Sequence, residues 1–222
     1  MRYKNNHVKF SKKISKILRF GCCIHQKDIG EDGYISLDII YNLHFKNDYI
    51  LYEEFHNDIK TLINLDDKES KSRYELNKDN TLIRATQGHN IKKINPDKIY
   101  DLYTASSIII HGTTFKHLIS ILIDRNILSK NRNEVHFALG YLDERLDDGT
   151  YVKSGMRRSS TIGLEIDVKK ARKDGIKFYQ SKKNKVVLVR DSLSTKYIDK
   201  IVHLDTNIED ELQTCIEYYI VT

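Results

Sequence analysis

Only one proline and three cysteines occur in 222 residues. The chain also has no long apolar run, no internal repeat and no low-complexity stretch. Each absence narrows the reading. Cys22, Cys23 and Cys215 do not make a disulfide framework, because adjacent cysteines rarely pair and no Cys-x-x-Cys spacing marks a zinc site. Reduced thiols in a cytosol are expected. The stretch Ser107 to Ile110 is far too short to span a bilayer and reads as a buried strand. The first seven residues are basic but lack the apolar block of a signal peptide, so a cytoplasmic protein without a membrane partner is expected. Asp147-Asp148-Gly149 is a turn signal without the spaced oxygen ligands of a calcium loop.

Charge and small residues are what the chain has. Net charge is +6, with 31% charged and 40% hydrophobic residues. This is the balance of a soluble globule, long enough for one large domain or two small lobes. A basic excess favours polyanions, nucleic acid or nucleotide among them. Four distant stretches are rich in Arg or His: Arg84 to His89, His111-Gly112-Thr113 and Ser154-Gly155-Met156-Arg157 set them beside Gly or a hydroxyl residue, and Arg132 to Phe137 joins Arg and His. Gly lets a backbone come close to a ligand. Arg presents a planar fork of donors that matches phosphate oxygens. Together they read as a polyphosphate-handling surface assembled from several loops.

Periodicity predicts an α+β chain of two lobes, 1–95 and 96–222. Phe10, Ile14, Ile17 and Leu18 recur at helical spacing over 10–20, with Ser11 as the expected cap. Residues 34–37 read as a strand after the Asp32-Gly33 turn. Residues 37–43 and 49–64 read as helices, the second with Ile50, Leu51, Phe55, Ile59, Leu62 and Ile63 on its apolar face. Strands at 73–76 and 82–85 flank a polar turn. Helices followed by a hairpin suggest a winged-helix arrangement, and a DNA-binding regulator is one candidate. Pro96, in a polar stretch, marks the expected boundary. Beyond it come short strands at 108–110, 135–138, 161–167, 186–189 and 201–204. Helices are expected at 115–123 and 168–174, the latter with Gly175 as C-cap. The acidic, then apolar tail after Leu204 is expected to add a last strand or helix.

In their order these blocks resemble the RNA 2′-phosphotransferase family. The matching pieces are Ser11 to Arg19, Asp32-Gly33-Tyr34-Ile35, Lys71 to Leu76, Ile83 to His89, His111-Gly112-Thr113, Arg132 to His136, Ser154 to Arg157, and Asp174 to Tyr179. The resemblance implies an N-terminal winged-helix-like lobe that holds RNA. It also implies a C-terminal lobe, akin to ADP-ribosyltransferases and built on short antiparallel strands, that holds NAD⁺. The implied reaction moves an internal RNA 2′-phosphate onto NAD⁺ without a metal. The products are 2′-hydroxyl RNA, ADP-ribose 1″,2″-cyclic phosphate and nicotinamide. RNA carrying a 2′-phosphate, tRNA among them, and NAD⁺ are the expected partners of a monomer. Arg19, Arg73 and Arg132 fall on the family's phosphate-gripping arginines. His111, Gly112 and Thr113, with Ser154, Gly155 and Arg157, fall on the NAD⁺ motifs. Arg84, Gln87, Gly88 and His89, with Lys12 and Lys16 of a basic helix face that also holds Lys13, are the expected substrate contacts.

One departure stands out. The family has Leu-Arg-His where this chain has Leu18-Arg19-Phe20, and phenylalanine donates no hydrogen bond to phosphate. His25 is a nearby candidate substitute. Three rival readings therefore stay beside the main one: transfer of ADP-ribose to a terminal phosphate, a catalytically weak RNA- or NAD-binding relative, and the winged-helix regulator. The arginine and histidine blocks of the second lobe argue against the regulator. His136 serves either as a core residue or as a ligand contact, His117 reads as structural, and Tyr179 is a candidate stacking ring.

Overall fold

Helix α1 (His7–Phe20) buries the four residues whose spacing predicts it: Phe10, Ile14, Ile17 and Leu18. A computed structural model describes residues 7–68 and 72–204. It is α+β, with small antiparallel sheets. Its contacts divide into two units. One comprises residues up to 101 with 131–133 and 181–184; the other holds 102–130, 134–180 and the chain from 185 on. The expected element after Leu204 lies outside the described residues, as does Lys71.

In the first unit, β1 (Ile35–Ser36) and α2 (Leu37–Ile40) follow α1, and Tyr41–Phe45 continues α2 as a wider π-turn. Next come α3 (Tyr52–Lys68), β2 (Tyr74–Leu76), β3 (Leu82–Ala85) and α4 (Pro96–Ile99). The strands form an antiparallel sheet of order β1-β3-β2. Asn77 closes the β2–β3 turn by accepting from the backbone N–H of Thr81 and Leu82. Pro96 opens α4, where its missing N–H costs nothing, and Asn95 caps that helix through the Asp97 N–H. An aromatic cluster locks α1 to α3. Phe10, Phe45 and Phe55 are buried, and the last two rings lie 5.0 Å apart.

Two local expectations are corrected here. Ser11 does not cap α1, which begins at least a turn earlier; its hydroxyl meets the Tyr74 hydroxyl at 2.8 Å. Ile50 and Leu51 precede α3 and are 92% and 55% exposed. A helical period cannot tell an apolar helix face from an apolar residue just ahead of the helix.

After β4 (Asp101–Leu102) at the boundary, the second unit runs through β5 (Ile109–Thr113), α5 (Phe115–Asp124), β6 (Asn126–Leu128), β7 (Glu134–Phe137) and β8 (Ile162–Ile166). It continues with α6 (Val168–Lys173), β9 (Tyr179–Gln180), β10 (Val187–Arg190), β11 (Ser192–Ser194) and β12 (Ile198–His203). Strand β8 is the middle of the sheet β12-β8-β5, while β10 pairs antiparallel with both β7 and β9. Ile109, Leu164, Ile166, Phe137, Phe178 and Val187 belong to its one apolar core. Gly175 ends α6 with φ +86°, the left-handed turn that glycine adopts without strain.

Candidate functional site

The first unit gathers three arginines from distant parts of the chain. Arg19 comes from the last turn of α1, Arg73 from the residue before β2, and Arg132 from the 131–133 segment. Each placement has a local cause. Arg73 is clamped by Asp66 of α3, which accepts from both its guanidinium and its backbone N–H at 2.5 Å. Segment 131–133 is tied down by Asn133, whose backbone donates to His89 O and whose amide donates to Ile91 O. Arg19 is held at the end of α1 by the Gly21 turn, with Gly21 N–H donating to Ile17 O at 2.8 Å.

The resulting electrostatics are unusual. Burial lowers the Arg19 pKa first, and the neighbouring charges of Arg132 and Arg73 lower it further. Among the described residues, the charges that lower it are those of arginines. The Arg19 Nε is buried and has no hydrogen-bond partner among the described residues. A half-buried cation facing two others, with a spare donor, is a site waiting for an anion with several oxygens. Arg19 and Arg73 line a cavity of about 680 Å³ between α1 and α3. His7, Ser11, Lys12, Ser15, Lys16 and Phe20 supply its α1 wall, and Leu62, Leu65 and Asp66 its α3 wall. Lys12 and Lys16 were legible as a basic helix face. Ser11, Ser15 and Phe20 share that face at helical spacing, a placement that basic residues alone do not signal.

Other expected contacts bond within the protein. Arg84 is 8% exposed, and its guanidinium gives two hydrogen bonds to Glu75 and one to Asp32 O. It also lies over the Tyr34 ring, 4.5 Å from the centroid. Its charge is spent inside the protein. His89 is fully buried, bonds the Ala85 carbonyl, and burial pushes its pKa down to about 4. It is therefore a neutral core residue at pH 7. Gly88 has φ +79°, a left-handed turn that glycine adopts without strain; a Cβ there would be in ordinary contact with Arg19 at 3.4 Å. Gln87 keeps a buried, unpartnered side-chain oxygen. His25 is exposed and is not among the residues lining the cavity.

In the second unit, His111-Gly112-Thr113 lies in strand β5 and 134–137 in strand β7, as Arg84-Ala85 lies in β3 of the first. The expected surface of several loops is thus built in part on strands, as the readings at 82–85 and 135–138 predict, and the ladder orients these side chains. The 154–157 turn packs against two of these elements. A Cβ on Gly112 would come within 2.5 Å of Met156 Cβ, and one on Gly155, with φ +102°, within 2.5 Å of Ala138 Cα. Both glycines are required by close packing. His111 Nδ1 pairs with His136 O, and burial lowers its pKa, so the ring is neutral with Nε2 left as an acceptor. Thr113 is buried, while Arg157 is exposed. Tyr179 is buried in the core and does not offer an open stacking face. No group of His, Cys, Asp or Glu suited to a metal occurs among the described residues, and no described helix is long and apolar enough to cross a membrane.

Comparison with known proteins gives this geometry a context. A family model described as RNA 2′-phosphotransferase, Tpt1 / KptA family, matches residues 5–191. The Saccharomyces cerevisiae tRNA 2′-phosphotransferase is 29% identical over 92% of this chain and 86% of its own length. The human tRNA 2′-phosphotransferase 1 is 29% identical over 81% of this chain and 68% of its own. A Schizosaccharomyces pombe protein named as a tRNA 2′-phosphotransferase is 32% identical over 94% of this chain, which spans only 54% of that longer protein. With most of its length matched, the chain belongs to the RNA 2′-phosphotransferase, Tpt1 / KptA family.

Proposed function

We propose that this chain is an NAD⁺-dependent RNA 2′-phosphotransferase that converts an internal 2′-phosphate on RNA, tRNA included, to a 2′-hydroxyl. The observation that carries the reading is the Arg19–Arg73–Arg132 cluster, with a buried donor of Arg19 unpaired among the described residues. NAD⁺ supplies the ribose carbon that accepts the phosphate and a leaving group, nicotinamide, that departs neutral.

The protein's own task is alignment and charge stabilisation. A phosphate dianion is already nucleophilic and needs no strong base. Arg19, Arg73 and Arg132 hold its oxygens and stabilise charge that builds as the phosphorus is attacked in turn. His111 Nε2 is suited to accept from a ribose hydroxyl, Thr113 and Ser154 add hydroxyls, and exposed Arg157 suits a pyrophosphate. This donor and acceptor set fits NAD⁺. Lys12 and Lys16 offer contacts to the RNA backbone.

The first unit is further proposed to be a winged-helix-like RNA-binding lobe, corresponding to 1–95. Its order of helix, strand, two helices and hairpin supports this, as does the sheet order β1-β3-β2. The second is proposed to be an ADP-ribosyltransferase-like NAD⁺-binding lobe, corresponding to 96–222, on the strength of family membership. Incubation with NAD⁺ and a short RNA bearing one internal 2′-phosphate tests the function. NAD⁺-dependent appearance of 2′-hydroxyl RNA and nicotinamide is expected. Unchanged RNA would overturn the reading, a build-up of ADP-ribosylated RNA would place a defect in the second step, and label from NAD⁺ transferred stably to a terminal phosphate would place the chain with end-modifying transferases.

A further inference from the structure

We propose that Phe20 is a stacking platform for a nucleobase beside the 2′-phosphate, and that the α1 groove next to it carries the same single strand. The inference rests on the 2′-phosphotransferase reading. Phe10, Phe45 and Phe55 of the same unit are at most 1% exposed, whereas Phe20 is 49% exposed. The fold buries the other phenylalanines of this unit and leaves this one in water, which costs hydration free energy unless a ligand covers it.

Its location selects the ligand. Phe20 ends α1, one residue after Arg19, and both line the 680 Å³ groove with Arg73. Lys12, Lys16 and Arg19 follow one another at four- and three-residue spacing, so they lie along one side of the helix about a turn apart. The acidic residue of the lining, Asp66, is already bound to Arg73. Ser11 and Ser15 add hydroxyls, and Leu62 and Leu65 add an apolar wall. A cationic track with an exposed ring at its end is the ingredient set for single-stranded nucleic acid, where bases are free to stack on protein. A free inorganic phosphate needs the arginines and has no use for the ring. A duplex keeps its bases stacked on each other.

The test uses the full chain and two RNA hexamers, each with one internal 2′-phosphate. One has all its bases; the other has abasic riboses at the phosphorylated nucleotide and its two neighbours. Affinity is read by fluorescence anisotropy without NAD⁺, and KM against kcat with it. Phe20→Ala and Phe20→Leu should each weaken binding of the complete RNA roughly five- to a hundredfold and raise its KM, while Phe20→Trp holds it. All variants should bind the abasic RNA weakly and alike. A Leu variant equal to wild type, an equal Ala loss on abasic RNA, or a rise confined to the KM for NAD⁺ would overturn the proposal. If wild type releases no nicotinamide with either RNA, the enzymatic reading fails, and the anisotropy ratio between the two RNAs still decides the role of Phe20.

Discussion

Arg84 and Arg19 sit in the same unit and come from equally suggestive sequence, yet the fold treats them oppositely. Arg84 has Glu75 and a backbone carbonyl for its donors and a tyrosine ring for its face. Arg19 has other arginines as charged neighbours and a buried Nε with nothing to bond. The first arrangement lowers the energy of the folded chain by itself. The second is a strain held in place by surrounding structure, and it is relieved by an anion. The difference teaches that an arginine's role is read from whether its donors are taken: those of Arg84 are bound within the fold, while Arg19 keeps a buried donor unpaired among the described residues.

Removing Arg19 should separate the two most sharply. Arg19→Ala should lower the single-turnover rate on 2′-phosphorylated RNA by about 10²–10³-fold, the range for losing one preorganised donor. Its melting temperature should hold or rise, because repulsion from Arg73 and Arg132 is removed. A large fall in melting temperature with normal turnover would merge Arg19 with Arg84 and break the contrast.

Beside Arg19, buried His89 provides a pH readout of the supporting set. Its pKa in the folded chain, about 4, lies below the usual value near 6.5. Between those values the unfolded chain binds the proton and the folded chain does not. Stability from this group is therefore complete above pH 6.5 and drains away as pH falls toward 4, by about 3 kcal/mol in all. Burial of His111 pushes its pKa in the same direction. Denaturant unfolding at pH 4.5, 5.5 and 7 should show the slope, and His89→Gln should flatten it. A slope unchanged in that variant would mean another group carries it.

Arg84→Ala should behave as the mirror of Arg19→Ala. Losing its charged hydrogen bonds should cost about 1.5–3 kcal/mol of stability, with turnover per folded molecule little changed. Calorimetry paired with active-site titration checks both halves. The smallest effect is expected at Asp66, which aims Arg73. Asp66→Asn keeps an acceptor for the Arg73 backbone but weakens the ion pair. It should slow turnover about tenfold, the effect of roughly 1.4 kcal/mol on a barrier. An unchanged rate would show that Arg73 is positioned without it.

Much of this fold was legible in advance where local rules act alone. The apolar period placed the buried face of α1 residue for residue, and turn residues found the β2–β3 hairpin and the end of α6. The rule failed at Ile50 and Leu51, where an apolar pair lies just outside its helix, and at Ser11, a good cap used mid-helix as a partner for Tyr74. Of the expected site, Arg19, Arg73 and the two lysines share one groove, whereas Arg84 and His89 hold the scaffold. Gly88 takes the left-handed turn that glycine allows, beside the Arg19 side chain.

The sequence by itself determined the family, the α+β character and which residue types handle phosphate, because motif order and hydrophobic period are properties of the chain alone. Only the tertiary structure decided which arginines keep their charge available and that Phe20 stays in water. Both depend on what distant segments bring alongside. A guanidinium whose donors are taken inside the fold is a strut, and one with a buried donor still unpaired among the described residues is a candidate anion contact.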